Sequence, residues 1–157
     1  MMATGIFLSK MSYLIQIWGG TNDIIIKALQ VSQNAAARTV TRLSWFTHTR
    51  TLLRQCGWLS VRQMVFYHTA LTTHKIVREG RPQYIHSKMC TENTHNTRHE
   101  VKFDDNFGAK SVRAKKSFCY RGAVCYNQLP LSIQSEKNNI SVKKKLKGWT
   151  MKNIEVQ

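Results

Sequence analysis

Acidic residues are scarce in this sequence of 157 residues: there are 8 of them against 24 lysines and arginines, giving a formal net charge of +16. None lies between Asp23 and Glu79. That span is apolar and predicted to be helical, and its cations are Lys27, Arg38, Arg42, Arg50, Arg54, Arg62, Lys75 and Arg78. A solvated helix face usually pairs basic with acidic residues one turn apart, and here there is nothing acidic to pair with. We therefore expect a negatively charged partner, with nucleic acid favoured over an anionic membrane surface.

The closely spaced cysteine pairs of a zinc site are also missing. The four cysteines are Cys56, Cys90, Cys119 and Cys125. No Cys-x-x-Cys or Cys-x-x-x-Cys pair occurs, and the set Cys90, His95 and His99 does not supply one. We interpret the cysteines as free thiols in a reducing compartment and expect no metal and no cofactor.

Long apolar runs and targeting signals are absent as well. The first 18 residues are apolar but interrupted by Lys10 and Tyr13, and no run approaches the roughly 20 residues that span a bilayer. We expect no transmembrane segment and an intracellular location, nuclear or cytoplasmic. The sequence leaves the oligomeric state open.

Apolar periodicity predicts a mainly α-helical fold with a helical core over residues 6–85. A first apolar stripe, ended by Gly19 and Gly20, consists of Leu8, Met11, Ile15 and Trp18. A second helix begins near Asp23, and its predicted buried stripe is Ile25, Leu29, Ala36, Val40 and Leu43. A short helix is predicted over 47–55, and a long central one, capped by Ser60 and stopped by Gly80 and Pro82, over 61–78.

The composition changes after residue 85. Residues 86–116 have few large apolar side chains and predict a loop-rich, weakly ordered linker with a short extended segment at 99–103. Residues 117–150 predict a small C-terminal cap: an extended entry at 117–120, a helical turn at 122–128, and a basic helix capped by Ser141. The apolar face of that last helix consists of Val142, Leu146 and Trp149.

Six sequence words carry a family resemblance. They are YLIQIWGG (13–20), LQVSQNAAAR (29–38), LLRQCGWLSVR (52–62), EGRPQYI (79–85), SFCYRGAVCYNQLPLSI (117–133) and SVKKKLKGW (141–149). In this order and spacing they resemble the region downstream of the polymerase palm in reverse transcriptases of non-LTR (LINE-type) retrotransposons. The resemblance covers about residues 9–149. It implies a helical thumb and post-thumb module, as a fragment or degenerate copy, that grips the primer–template duplex or the RNA of the element.

The catalytic carboxylates of such a polymerase are not expected in this chain. A palm places an aromatic residue, any residue and then Asp-Asp on a hairpin, because phosphoryl transfer needs carboxylates to hold two metal ions. Asp104 and Asp105 are the single Asp-Asp pair, but Lys102 stands where the aromatic residue belongs. The pair also follows the WGG and AAR words, which in the family come after the palm. There is no glycine-rich phosphate loop, and we interpret His68 as a packed histidine, so we expect an inert chain without a small-molecule substrate.

The candidate binding residues are therefore cations and their polar neighbours. The predicted nucleic-acid contacts are Lys27, Asn34, Arg38, Arg42, Arg62, Lys143, Lys144 and Lys145. Long cations contact phosphates, and amides such as that of Asn34 form adaptable hydrogen bonds. The aromatic residues Trp18, Trp45, Phe46, Trp58, Phe66 and Tyr67 are expected to pack in the core rather than to stack on bases.

Two alternative functions stay open at this point. The chain can be a stand-alone basic helical protein that binds RNA or DNA, which a palm-encoding sequence directly upstream would argue against. It can also be a basic amphipathic protein on an anionic membrane surface, which liposome binding would distinguish from oligonucleotide binding.

Overall fold

The computed structural model describes residues 2–89, 103 and 111–154, and this part of the chain is helical without β-strands. The helices are α1 (Met2–Ser12), α2 (Ile15–Trp18), α3 (Asp23–Thr41), α4 (Thr49–Cys56), α5 (Val61–Glu79), α6 (Gln83–Met89), α7 (Val112–Lys115), α8 (Phe118–Asn127), α9 (Leu131–Gln134) and α10 (Asn139–Asn153). The predicted mainly α-helical fold is confirmed.

Helix α5 lies at the centre, as predicted. At its start the Ser60 hydroxyl accepts a hydrogen bond from the Gln63 amide (3.3 Å), and the Gln63 side chain accepts one from the Ser60 amide (3.0 Å). This reciprocal pair satisfies backbone donors that the first turn leaves without partners. The helix ends at Gly80, whose φ of 65° is readily adopted by glycine. It packs against α2, α3, α6, α8 and α10.

The described core consists of three groups of buried side chains, and two of them include residues of α5. One joins α5 to α8 and α10 and includes Phe66, Ala70, Ala123, Tyr126, Val142 and Leu146. A second joins α5 to the first three helices and includes Met11, Ile15, Ile26, Val61 and Met64. A third joins α3 to α4 and consists of Ala37, Leu52, Leu53 and Trp58. The C-terminal segment thus shares a core with the helices that precede the linker.

The buried stripe predicted for α3 is wrong at two of its five positions: Leu29, Ala36 and Leu43 are half-buried against core groups, but Ile25 and Val40 are not. Ile25 and Val40 are 49% and 40% exposed, whereas Ile26, Gln33 and Ala37 are buried. The prediction followed apolar residues alone. The structure instead buries a glutamine whose side chain donates a hydrogen bond to the Leu59 carbonyl oxygen at 2.8 Å. A satisfied amide can occupy a core position.

The first predicted helix is broken between Ser12 and Ile15. Leu14 has a left-handed backbone (φ 48°), and the Trp18 indole donates a hydrogen bond to the Tyr13 carbonyl oxygen at 2.8 Å. Met11 and Ile15 nevertheless lie in the same core group, with Leu8 and Trp18 packed against it. The apolar stripe is therefore kept although the helix is not continuous.

The extended entry predicted for residues 117–120 is also wrong. Ser117 is the N-cap of α8, and its hydroxyl accepts a hydrogen bond from the Tyr120 amide at 3.4 Å. The Phe-Cys-Tyr triplet favours a strand locally, but Ser117 caps a helix that is packed on α5. Helix α10 begins at Asn139, and its cap is Asn138, three residues before the predicted cap Ser141.

Most of the predicted linker at 86–116 lies outside the described residues. Its ends do not: residues 86–89 complete α6, and residues 112–115 form α7. Phe103 is buried against the Tyr126 ring, with 5.2 Å between ring centroids. The Asn127 side chain accepts from the Phe103 amide (3.1 Å) and donates to its carbonyl oxygen (2.9 Å). The first four residues of the extended segment expected at 99–103 belong to the part that is not described, as do Cys90, His95, His99, Asp104 and Asp105.

Two of the sequence words meet in space. The Arg121 guanidinium donates hydrogen bonds to the carbonyl oxygens of Gln16 (2.6 Å) and Lys116 (3.1 Å), joining α2 to α8. A side chain at Gly20 would collide with the Lys116 carbonyl oxygen and the Arg121 side chain, so only glycine fits there. The WGG and YRG words therefore have a structural role in this chain, since they supply the two sides of one contact.

Candidate nucleic-acid interface

Two of the eight predicted contact residues form surface ion pairs. Arg62 Nη2 lies 2.9 Å from a carboxylate oxygen of Asp23, and Lys145 Nζ lies 2.6 Å from one of Glu136. The hydrogen bond from Lys145 lowers the pKa of the Glu136 carboxyl. The partner of Arg62 is therefore Asp23, the acidic residue that borders the acid-free span and lies 39 residues earlier in sequence. These two cations are partly neutralised.

Asn34 has a role within the fold. Its side-chain nitrogen donates to the Thr49 hydroxyl (3.3 Å), and its oxygen accepts from the Gln30 amide group (2.9 Å). The Gln30 oxygen in turn accepts from the backbone amide of Val61 at 2.9 Å. These amides connect α3 to α4 and to the start of α5, so Asn34 positions the helices around the basic residues.

Four of the predicted cations are exposed and carry no side-chain hydrogen bond or ion pair with any described residue: Lys27, Arg42, Lys143 and Lys144. Arg42 ends α3 in a left-handed conformation (φ 56°). A long cation without an intramolecular acceptor keeps its donors available to a phosphate.

Arg38 is held differently. Its guanidinium carbon lies 4.5 Å from the centroid of the Trp45 ring, and its Nε is buried without a hydrogen-bond partner. A guanidinium stacked on an aromatic face is positioned by the ring while its charge stays unneutralised.

The structure divides these cations between two places. Arg38 and Arg42 lie one turn apart at the C-terminal end of α3, and Lys27 lies about 17 Å earlier along the helix axis. Lys143 and Lys144 belong to α10, which packs on α5 and α9 rather than on α3. The α3 cations and the α10 lysines are thus carried by separate elements.

Four residues of the α3–α4 region were not among the predicted contacts. Arg50 and Arg54 are exposed, one turn apart on α4, which packs on α3. Trp45 and Phe46, in the connection between the two helices, are 72% and 94% exposed. The core placement predicted for these two rings is wrong.

The core placement predicted for the other four aromatic residues is confirmed: Trp58 and Phe66 are buried, and Trp18 and Tyr67 pack against core groups. The position in sequence distinguishes the exposed aromatic residues from the packed ones. Trp45 and Phe46 lie between helices beside Ser44, whereas Trp58 and Phe66 lie next to or within long apolar stretches.

The titratable side chains of the described core are ordinary packed groups. Burial lowers the pKa of His74, and burial raises the pKa of the Cys125 thiol to about 12. His68 is half-buried against the Tyr67 ring, and burial lowers its pKa too. Within the described ranges, no three metal-ligating side chains form a group that could hold an ion, and Cys56, Cys119 and Cys125 are free thiols.

Comparisons with protein-family models, curated proteins and solved structures find no match to this chain. Of the helices described, none has the length and apolar character needed to cross a bilayer.

Proposed function

We propose that this chain is a non-catalytic helical module that contacts nucleic acid through its phosphates. More particularly, we propose that it is the thumb and post-thumb region of a non-LTR retrotransposon reverse transcriptase and acts inside the cell on a primer–template duplex or on the RNA of the element. The first statement is supported by the charges of the structure. The second is supported by the ordered sequence words.

One observation carries the proposal: none of the cations of the α3–α4 region forms an ion pair with an acidic residue in the part of the chain that the structure describes. Arg42, Arg50 and Arg54 are exposed, and Arg38 is stacked on Trp45 rather than ion-paired. Leaving like charges side by side destabilises a fold, and a polyanion removes that cost when it binds. Binding through phosphates releases counterions, so affinity falls steeply with salt and depends little on sequence.

The test is a salt series on duplex DNA and on an RNA–DNA hybrid, measured by fluorescence anisotropy. Replacing Lys27, Arg38 and Arg42 together by glutamine removes three cations that are not ion-paired. The slope of log K against log salt should become flatter by about two to three units, at roughly 0.9 per phosphate contact, and all sequences should weaken alike.

The chain offers a matched control. Replacing Arg62, Arg78 and Lys145 by glutamine also removes three positive charges, but these side chains lie beside Asp23, Glu79 and Glu136. Net charge changes equally in the two variants, so a difference between them reports local contact. Equal slopes for the parent and the first variant, both folded, would contradict the proposal. If both variants flatten the slope of log K against log salt equally, binding depends on net charge alone and not on local contacts of the α3 cations.

The absence of polymerase chemistry is part of the same proposal. Purified chain should not extend a primer on an RNA template in the presence of magnesium, because Lys102 stands two positions before Asp104, where a palm has its aromatic residue. Extension that Asp104→Asn abolishes would contradict this expectation.

The origin of the chain is tested separately. A sequence directly upstream that encodes an aromatic residue, any residue and Asp-Asp would support the reverse transcriptase assignment. An upstream region without it would favour a stand-alone binding protein. The phosphate contacts proposed above would be the same in both cases.

A further inference from the structure

The connection between α3 and α4 presents two large aromatic rings at the tip of a turn. The Thr47 amide donates a hydrogen bond to the Ser44 carbonyl oxygen at 3.0 Å, which closes a four-residue turn with Trp45 and Phe46 as its central residues. Such positions normally hold small or polar residues. Trp45 and Phe46 are 72% and 94% exposed, so their apolar surface faces solvent.

The turn is anchored on both sides. Before it, Leu43 packs against the group formed by Ala37, Leu52, Leu53 and Trp58. After it, the His48 ring accepts a hydrogen bond from the Arg50 amide (3.2 Å), and Thr49 is bonded to Asn34 on α3. Because both flanks are fixed to helices, the rings are held at the surface without having to be ordered when a ligand arrives. Such preorganisation reduces the entropy lost on binding.

One cation contacts a ring of the turn, and two more flank the turn in sequence. The Arg38 guanidinium covers one part of the Trp45 ring at 4.5 Å, and Arg42 and Arg50 precede and follow the turn. The nearest acidic residues in sequence are Asp23 and Glu79. Flat aromatic surfaces beside unneutralised guanidinium groups match a ligand that combines stacked rings with negative charge.

We propose that the turn of residues 44–47 binds unpaired bases of single-stranded nucleic acid, with Trp45 and Phe46 stacking on bases and Arg38 and Arg42 contacting the adjacent phosphates. This inference rests on the proposed nucleic-acid function and adds the form of strand that is recognised. A duplex hides its base faces by stacking them, so it can use the cations but not the rings. An unpaired strand can use both.

The experiment compares three labelled ligands by fluorescence anisotropy: a short thymidine oligonucleotide, an abasic oligonucleotide of the same length, and a duplex of that length. The abasic strand keeps the phosphates and removes the bases. The Trp45→Ala/Phe46→Ala double variant should lose about five- to 150-fold in affinity for the thymidine strand for each base that was stacked. Its affinity for the abasic strand and for the duplex should stay within about twofold of the parent.

Two variants serve as controls. Tyr13 is also 72% exposed, and among the described residues no guanidinium is stacked on its ring, so Tyr13→Ala should leave all three affinities unchanged. Trp45→Phe keeps an aromatic face and should restore most of the binding that Trp45→Ala loses. Because the rings are exposed, the variants should have the same melting temperature as the parent, which circular dichroism measures.

The possible results separate the two proposals. If the Trp45→Ala/Phe46→Ala variant loses equal affinity for the thymidine and abasic strands, or loses affinity for neither, base stacking is overturned. The proposal of phosphate contact is then still decided by the salt series. A parent that binds none of the three ligands overturns both proposals. Loss of binding to vesicles of anionic phospholipid, with oligonucleotide binding unchanged, identifies the rings as a membrane contact and also overturns the inference.

Discussion

Three successive alanines on α3 provide a test of how the helix is packed. Ala35 is exposed, Ala36 is half-buried and Ala37 is fully buried against Leu52 and Trp58. The same substitution, alanine to aspartate, at each position changes helix propensity by the same amount, about 0.5 kcal/mol. Differences among the three variants therefore measure burial.

The expected order follows from desolvation of the carboxylate. At Ala37 the new charge would be buried without a partner, which costs about 3–5 kcal/mol. For a domain of about 150 residues each kcal/mol lowers the melting temperature by about 2–4 °C, so the Ala37→Asp variant should melt about 6–20 °C below the parent. Ala35→Asp should lie within about 1 kcal/mol of the parent, since surface substitutions rarely cost more. Ala36→Asp should fall between them.

The assay is thermal and urea unfolding followed by circular dichroism at neutral pH and at about pH 4. Burial raises the pKa of a carboxyl, so the penalty at Ala37 is present when the group must ionise and should shrink as the pH is lowered. If Ala36→Asp is the least stable variant, α3 is oriented as its apolar residues alone suggested. Three equal variants would mean that α3 is not packed on α4 and α5 at all.

Three further outcomes are expected. Burial lowers the pKa of His74, so the unfolded chain binds a proton at this residue more readily than the folded chain does. The free energy of unfolding, measured in a urea series, should therefore decrease as the pH is lowered through about 6.5. The His74→Gln variant should show a smaller decrease. Arg121→Met leaves the Gln16 and Lys116 carbonyl oxygens without their donor and should cost about 1–3 kcal/mol in urea unfolding, whereas Arg113→Met, at an exposed position, should cost little. Burial raises the pKa of the Cys125 thiol to about 12, so this thiol should be alkylated far more slowly in the folded chain than in urea. Mass spectrometry of the peptide that contains Cys125 measures the two rates. Equal rates would contradict the burial of this thiol.

The candidate site could be predicted only in part. The sequence indicates that Arg38 and Arg42 are cations in an acid-free helix, and the structure describes both without an ion pair. It does not indicate that Arg62 lies beside Asp23 or Lys145 beside Glu136, because those pairs join residues on different elements. Charge can be counted along a chain, but its neutralisation depends on distances in space.

Exposure of the aromatic rings is the second part that sequence reasoning missed. Apolar composition made Trp45 and Phe46 core candidates alongside Trp58 and Phe66. The fold instead places the first two at a turn whose flanks are fixed by Leu43 and Thr49. A ring is buried only if another element covers it, and in this structure α3 and α4 pack on each other below the turn.

The sequence by itself determined the local features of this protein: its helical class, the capping box at Ser60, and the helix ends at Gly57 and Gly80, where φ is 66° and 65°. These depend on backbone preferences and on hydrogen bonds between near neighbours, which a few adjacent residues define. Only the tertiary structure decided which face of α3 is buried. That choice depends on the hydrogen bond from Gln33 to Leu59, 26 residues away, and on the packing of Ala37 on α4. Contacts of that range are set by the simultaneous packing of several helices, so periodicity within one helix cannot specify them.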